Sequence, residues 1–415
     1  MNPSELIAEA EAKLAPVFEK MNEISKARTA DVIDAFRRAK MTEACLYPST
    51  GYGYDDKGRE ALDRVYAEVF GCEAAIVRHG IANGTHALTI GLFALLRPGD
   101  TMLSVTGSVY DTLEETIGSS GEAGRGSLRD FGIGYEEIPL TPGGTVDISA
   151  MRERLLQNKS IRVVYAQRSR GYGERRALSV GELDEAGRAV REFEGVYFVV
   201  DNCYGEFTET REPRADLIIG SLIKNPGGGL AKSGGYLAGT KKAVELASYR
   251  ITTPGLGGEV GATLGQNRDM IQGFFMAPHT VLQAKMTSAL AAYVFEAMGF
   301  KVSPRWDEER SDIIETIHLG SPEALCAFCR GIQHGSPIDS FVTPEPWDMP
   351  GYGDKVIMAA GTFVSGASIE LSADGPLRPP YIAYMQGALT YESGRYGILC
   401  AAREIEQSLA SGGGK

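Results

Sequence analysis

An aspartate and a lysine each stand just past a short apolar run. Val196-Tyr197-Phe198-Val199-Val200 leads into Asp201, and Leu217-Ile218-Ile219-Gly220 leads through Ser221-Leu222-Ile223 to Lys224. Apolar runs of this length, bounded by turn residues, read as buried strands of a parallel sheet. An acid ending one strand and a lysine just beyond the next put opposite charges at the carboxyl edge of that sheet. Open α/β sheets place their ligands there. The glycine-rich Asn225-Pro226-Gly227-Gly228-Gly229 follows immediately.

A lysine buried beside such a loop is costly to desolvate unless its charge is neutralised or its amine is consumed. Condensation with an aldehyde consumes it. An ionised aspartate facing a pyridine nitrogen keeps that nitrogen protonated through a charge-assisted hydrogen bond. The protonated ring then accepts the electrons released when a substrate Cα–H bond breaks. The pair therefore suits pyridoxal phosphate, with Lys224 as the Schiff-base lysine and Asp201 as partner of the ring nitrogen. Each residue alone has a plainer reading, Asp201 as a turn cap and Lys224 as a solvated loop residue.

The rest of the chain supplies the elements that must hold this pair. The first forty residues keep helical spacing through Leu6, Ile7, Ala10, Leu14, Val17, Phe18 and Met21, an arm suited to packing on a neighbouring domain or subunit. The Tyr47–Arg59 loop carries Tyr52, Tyr54 and Arg59, and reads either as an exposed turn or as a phosphate- or ring-contacting loop. A strand at Ala74–Val77 runs through Asn83-Gly84-Thr85-His86-Ala87 into a helix. At such a turn Gly84 and Thr85 present free N–H groups suited to a phosphate, an ordinary capped helix being the alternative. A strand at Met102–Val105 ends near Tyr110, whose ring either stacks on a cofactor or belongs to the core.

A further strand at Ile161–Tyr165, with helices between the strands, argues for parallel βαβ units, and a short strand at Gly235–Gly239 follows Lys224. The expected fold class is α/β, a mostly parallel sheet flanked by helices in a large domain over residues 59–299. A smaller α+β C-terminal domain covers 300–415, and a helical arm and interface loop cover 1–58.

Composition narrows the function. A chain of 415 residues can bury a large core, and 43% hydrophobic with 23% charged residues is ordinary for a soluble globular protein. A formal net charge of -12 argues against nucleic acid or an anionic membrane as partner. No apolar run reaches the length of a membrane span, and the N-terminus reads as a charged helix rather than a signal peptide. Six cysteines form no disulfide framework, so a reducing, cytoplasmic setting is expected. Cys326-Ala327-Phe328-Cys329 with His334 falls short of a zinc site, and no metal is expected. Pro226–Ser233 imitates a phosphate-binding P-loop, but Ala231 stands where that motif requires glycine.

Four stretches carry a resemblance: Asn83-Gly84-Thr85-His86-Ala87, Tyr110-Asp111-Thr112-Leu113-Glu114-Glu115, Asp201-Asn202-Cys203-Tyr204-Gly205-Glu206-Phe207, and Ser221-Leu222-Ile223-Lys224-Asn225-Pro226-Gly227-Gly228-Gly229. On these the chain resembles the methionine gamma-lyase-like, or "aluminum resistance", pyridoxal phosphate proteins. These form a branch near the cystathionine lyases within fold-type I aminotransferase-like enzymes. The resemblance runs from Thr50 to Tyr381.

It implies that Lys224 holds pyridoxal 5'-phosphate and then acts as base at Cα, while Asp201 pairs with the ring nitrogen. It gives Gly84, Thr85 and Ser221 to the phosphate, and Tyr110 to the ring and the leaving group. Tyr52, Tyr54 or Arg59 would reach the phosphate of a neighbouring subunit's cofactor, and Arg378 would grip the substrate carboxylate bidentately. Two departures bear on the reaction. Ile223 replaces a hydroxyl expected just before the lysine, and Tyr204 resembles the aminotransferase tyrosine that bonds the ring hydroxyl.

The implied function is β- or γ-elimination on a sulfur-containing amino acid by a carbon–sulfur lyase. The alternatives are an aminotransferase and a pyridoxal phosphate-binding protein without turnover. The implied assembly is a homodimer or homotetramer with shared active sites.

Overall fold

The computed structural model describes residues 2–50, 53–349 and 353–412. The helices are α1 (Pro3–Arg38), α2 (Lys57–Val69), α3 (Gly84–Leu95), α4 (Asp111–Ile117) and α5 (Ile148–Gln157). They continue as α6 (Val180–Val190), α7 (Lys241–Ile251), α8 (Asn267–Ala297), α9 (Pro322–His334) and α10 (Tyr391–Gly412). The first seven strands are β1 (Ala74–Arg78), β2 (Thr101–Ser104), β3 (Gly134–Glu137), β4 (Ile161–Gln167), β5 (Tyr197–Asp201), β6 (Leu217–Ser221) and β7 (Gly235–Gly239). They form one sheet in the order β1-β7-β6-β5-β4-β2-β3.

Five neighbours in that sheet, β6 to β3, run parallel, and both faces are buried. Alternation along each strand divides the side chains. Val164, Phe198, Val200 and Ile218 enter one core with α2 and α8. Val163, Tyr165, Val199, Leu217 and Ile219 enter another with α3 and α7. Each fully buried aliphatic side chain contributes about 1.5–3 kcal/mol, so the sheet edge that carries the polar residues rests on a rigid base.

The alternation of strands and helices leads to a mostly parallel sheet, which the fold shows, and β7 is the strand that runs the other way. It pairs antiparallel with both β6 and β1. The connection from β6 to β7, residues 222–234, forms the 3-10 turn Asn225–Gly227 but no α-helix, the usual means of returning a strand in the same direction. β3 is a further strand that the apolar pattern did not mark, because Gly134-Tyr135-Glu136-Glu137 is polar and half-exposed at the sheet edge.

The C-terminal sheet holds β8 (Lys301–Ser303), β9 (Glu315–His318), β10 (Val356–Ala359), β11 (Ser372–Pro376) and β12 (Ile382–Gln386). Its order is β10-β11-β12-β9-β8, antiparallel at every pairing. One face, with Ile317, Ala373, Ala383 and Met385, packs with Phe328 of α9 and Ile398 of α10. Helix α1 spans the two halves. Leu6, Ile7 and Leu14 join this second core, whereas Val32 and Ala35 join the core of the large sheet. No helix among the described residues is long and apolar enough to cross a membrane.

Candidate active site

β5 ends in Asp201, which is buried. Its Oδ1 accepts from the Cys203 backbone N–H at 3.1 Å, and its Oδ2 from the Tyr165 hydroxyl at 3.3 Å. Burial raises this carboxyl above its ordinary range, against the pull of Lys224. β6 ends in Ser221, and Lys224 starts the short 3-10 turn Asn225–Gly227. Its Nζ lies 4.1 Å from the centroid of the Tyr204 ring. Burial alone pushes the Lys224 ammonium down. The Asp201 carboxylate beside it pulls the other way, and the net direction is up, above the usual lysine range.

Tyr204 reaches this place through a left-handed backbone, at φ +68°. That conformation costs a non-glycine residue roughly 1–3 kcal/mol, so the surroundings must enforce it. The Gly205 N–H bonds Asn202 O at 2.9 Å, closing the turn. Arg168, fully buried, donates to Asn202 Oδ1 at 2.8 Å and to Glu209 Oε1 at 2.8 Å beneath it. A Cβ on Gly205 would sit 2.4 Å from Arg168 Cδ, which is why the motif carries glycine there.

Asn83 caps α3 by accepting from the His86 N–H at 2.8 Å. The N–H groups of Gly84 and Thr85 are then among the donors that a helix start leaves without intrahelical partners. The Thr85 hydroxyl lies 2.6 Å from the Tyr110 hydroxyl and 3.0 Å from that of Thr112. Burial pushes the Tyr110 phenol above its usual range, so it remains a protonated donor at neutral pH.

Gly84, Thr85, Tyr110, Asp201, Tyr204, Ser221 and Lys224 all line one cavity of about 360 Å³. What they leave unsatisfied matches pyridoxal phosphate. Among the described residues the Ser221 hydroxyl and Gln167 Oε1 are buried without hydrogen-bond partners. A Cβ on Gly84 would lie 3.4 Å from Ser221 Cβ and 4.0 Å from Lys224 Nζ, filling the space that glycine keeps clear. Orphaned polar atoms, a helix N-terminus and a buried amine beside a carboxylate fit a phosphorylated pyridine aldehyde.

The remaining sequence candidates stand apart from this cavity in the single chain. Tyr54 is exposed, and Tyr52 lies outside the described residues. Arg59 is buried, and its guanidinium donates to Gly261 O at 3.0 Å and Glu259 O at 3.2 Å. It holds one loop against another rather than facing the cavity. Arg378 is half-exposed and pairs with Asp354 at 3.0 Å beyond the cavity wall. Cys326 and Cys329 lie on α9, and all six cysteines are free thiols.

Several lining residues escaped the sequence reading. Gln167 ends β4 in register with Asp201, so the carboxyl-edge rule applied to the neighbouring strand would have found it. Tyr172, Asp374, Tyr384 and Gln386 line the opposite wall. Asp374 had one signal available, a charged residue inside a short strand whose neighbours are small and buried.

Residues 3–406 match the model of the methionine gamma-lyase family. The chain belongs to that family. It is 49% identical over 403 residues to an uncharacterized Bacillus subtilis protein, YnbB, covering 96% of this chain and 95% of that one. It is similar to a carbon-sulfur lyase involved in aluminum resistance from Clostridium novyi NT. Identity there is 47% and the TM-score 0.93, over 97% of this chain and 95% of the other. The pyridoxal-5'-phosphate dependent protein YhfS from Escherichia coli shares the fold, with a TM-score of 0.61 at 16% identity over 94% of this chain and 97% of that one. The family's α/β architecture is thus that of the fold-type I enzymes, with a smaller C-terminal sheet domain.

Proposed function

We propose that this member of the family is a pyridoxal phosphate-dependent carbon–sulfur lyase that carries out β- or γ-elimination on a sulfur-containing amino acid. The observation that carries the reading is the meeting of Lys224, Asp201 and the unpartnered Ser221 hydroxyl in one buried cavity at a sheet edge. When bound, pyridoxal phosphate supplies an aldehyde for the amine and a protonated ring that takes up electrons from the substrate's Cα.

The protein's own side chains do the rest. The Ser221 hydroxyl and the N–H groups of Gly84 and Thr85 hold the phosphate at the start of α3, where the helix dipole favours negative charge. Asp201, fixed by Tyr165 and the Cys203 N–H, holds a proton on the ring nitrogen. Lys224 Nζ is the base that takes the proton from Cα. Tyr110, kept protonated by burial, donates toward the sulfur as it leaves. Arg378 would exchange Asp354 for the substrate carboxylate, two parallel donors meeting two oxygens.

Exposed Tyr54 belongs to a loop joined to the 259–263 segment by Arg59 and by the hydrogen bond from Thr263 to Asp56 at 3.1 Å. This unit is offered to a second copy of the chain, in a cytoplasmic homodimer or homotetramer that shares its sites. Tyr204 beside Lys224 favours one other reading, an aminotransferase in which this ring bonds the cofactor hydroxyl.

A release assay separates the cases. The holoenzyme given a panel of sulfur amino acids is expected to yield thiol, ammonia and keto acid in equal amounts. Conversion of the cofactor to its amine form, reversed by a keto acid and without thiol release, would establish the aminotransferase. Cofactor binding without either outcome for any amino acid would overturn turnover altogether.

A further inference from the structure

The wall of the cavity opposite Lys224 is one face of the C-terminal sheet. Asp374 of β11 is in register with Met358 of β10 and Tyr384 of β12, and Ser372 is in register with Gln386. All five line the cavity, while their in-strand neighbours Ala373, Ala383 and Met385 point into the core. The centre of this wall is therefore a buried carboxyl group. Its hydrogen-bond partners are neutral. The Tyr172 hydroxyl donates to Oδ2, and Gln386 Nε2 donates to Oδ1 at 3.4 Å. Among the described residues no ion pair includes Asp374.

A buried carboxylate without a cation is expensive, and an apolar residue would serve stability better. Two neutral donors orient it and leave it charge to give. The same wall offers Met358, a soft apolar surface suited to a thioether. We propose that Asp374, oriented by Tyr172 and Gln386, is a specificity-determining residue that selects sulfur amino acids whose side chain ends in a protonated amine. The inference rests on the lyase reading above and names its substrate class. A methylthio tail would leave this carboxylate unpaired, whereas an ammonium tail satisfies it.

The test compares S-(2-aminoethyl)-L-cysteine with S-propyl-L-cysteine, in which a methyl group replaces the terminal ammonium. With the holoenzyme at pH 8, kcat/KM for the cationic compound is expected to exceed that for the neutral one by about tenfold or more, the effect of about 1.4 kcal/mol. In Asp374→Asn the ratio is expected to fall to about one. A wild-type ratio near one, or an Asp374→Asn variant that lowers both compounds equally, would overturn the assignment, the second by pointing to the α-amino group or to folding.

Should neither compound release a thiol, β-elimination of these cysteine conjugates fails by itself, the panel above still deciding the lyase reading, and calorimetric Kd values of the same pair decide the inference. The same preference, lost in Asp374→Asn, would sustain it, and equal Kd values would overturn it. A second variant guards against misfolding. The titratable groups facing Asp374 are Tyr172, Tyr384 and, from α9, Cys329. Tyr172→Phe removes a donor to the carboxylate, so the preference should vanish at a higher pH than in the wild type as pH is lowered. An unmoved midpoint would overturn Tyr172's part and the oriented carboxylate with it.

Discussion

Gln167 and Asp201 are register partners at the ends of β4 and β5, and both line the cavity that Lys224, three residues past the end of β6, also lines. Asp201 has two hydrogen-bond donors of its own, while Gln167 Oε1 has none among the described residues. Within one sheet edge, the first position is therefore a finished electrostatic device and the second is an acceptor awaiting a ligand.

Lys224 is expected to be the residue that carries the cofactor. The only other lysine nearby in sequence, Lys232, is largely exposed and pairs with Asp269 at 2.9 Å. Borohydride reduction of the holoenzyme followed by peptide mapping should label the Lys224 peptide. A label on Lys232, or none with cofactor bound, would remove Lys224 from the mechanism.

Asp201→Asn should still bind the cofactor yet lose elimination activity by roughly 10²–10³-fold, as when one preorganised electrostatic group is removed from an active site. An amide cannot hold a proton on the ring nitrogen as a carboxylate does. Turnover near the wild-type rate, measured as keto acid released, would reduce Asp201 to a structural cap.

This pair was legible in the sequence because two short apolar runs, each followed by its polar residue, admit few placements other than a sheet edge. The direction of β7 was not, since strand direction depends on whether a helix intervenes and not on the strand's own residues. Arg59 and Arg378 show a different limit. Their charge is plain in the sequence, but a guanidinium is satisfied equally well by the Glu259 and Gly261 carbonyls, by Asp354 or by a ligand, and only geometry chooses. Asp374 stayed hidden because a lone acid between alanine and glycine looks like a loop, until register sets it at the centre of a wall.

Gly205→Ala tests the platform beneath Tyr204. The added methyl would collide with the Arg168 side chain, which is buried and tied to Asn202 and Glu209 and so has little freedom to move. Overpacking of this kind typically costs about 1–3 kcal/mol. The variant should show a lower Tm together with weakened cofactor binding. A Tm equal to the wild type would mean that the Asn202–Glu212 loop is softer than its hydrogen bonds suggest.

Sharing of the site between subunits is expected to appear in mixed dimers. Arg59→Ala releases the segment held through Glu259 and Gly261, disturbing the unit offered to a second copy, while Lys224→Ala removes the reacting amine. Each should be weak or inactive alone. Co-refolding equal amounts should recover up to about a quarter of wild-type activity in a two-fold dimer, since half the dimers are mixed and each has one good site of two. No recovery, with mixed dimers verified and an inactive Arg59→Ala parent, would place the Arg59 unit in its own subunit's site or outside any site.

Asp374→Asn should make the cofactor-loaded protein more stable at neutral pH. Burial raises the Asp374 carboxyl to about 6 in the folded chain, against the hydrogen bonds from Tyr172 and Gln386, whereas an unfolded aspartate titrates near 3.9. The folded state therefore binds the extra proton between those values. Its stability falls as pH rises through that window and stays lowered above it. The difference corresponds to at most about 3 kcal/mol. Asparagine keeps an acceptor for the Tyr172 hydroxyl without the charge, so it escapes this penalty. The Tm of the variant should exceed that of the wild type at pH 8, and the gap should close below about pH 4. A variant less stable than the wild type at pH 8 would mean that the charged carboxylate is already satisfied within the protein, leaving no reason for a cationic substrate to be drawn to it.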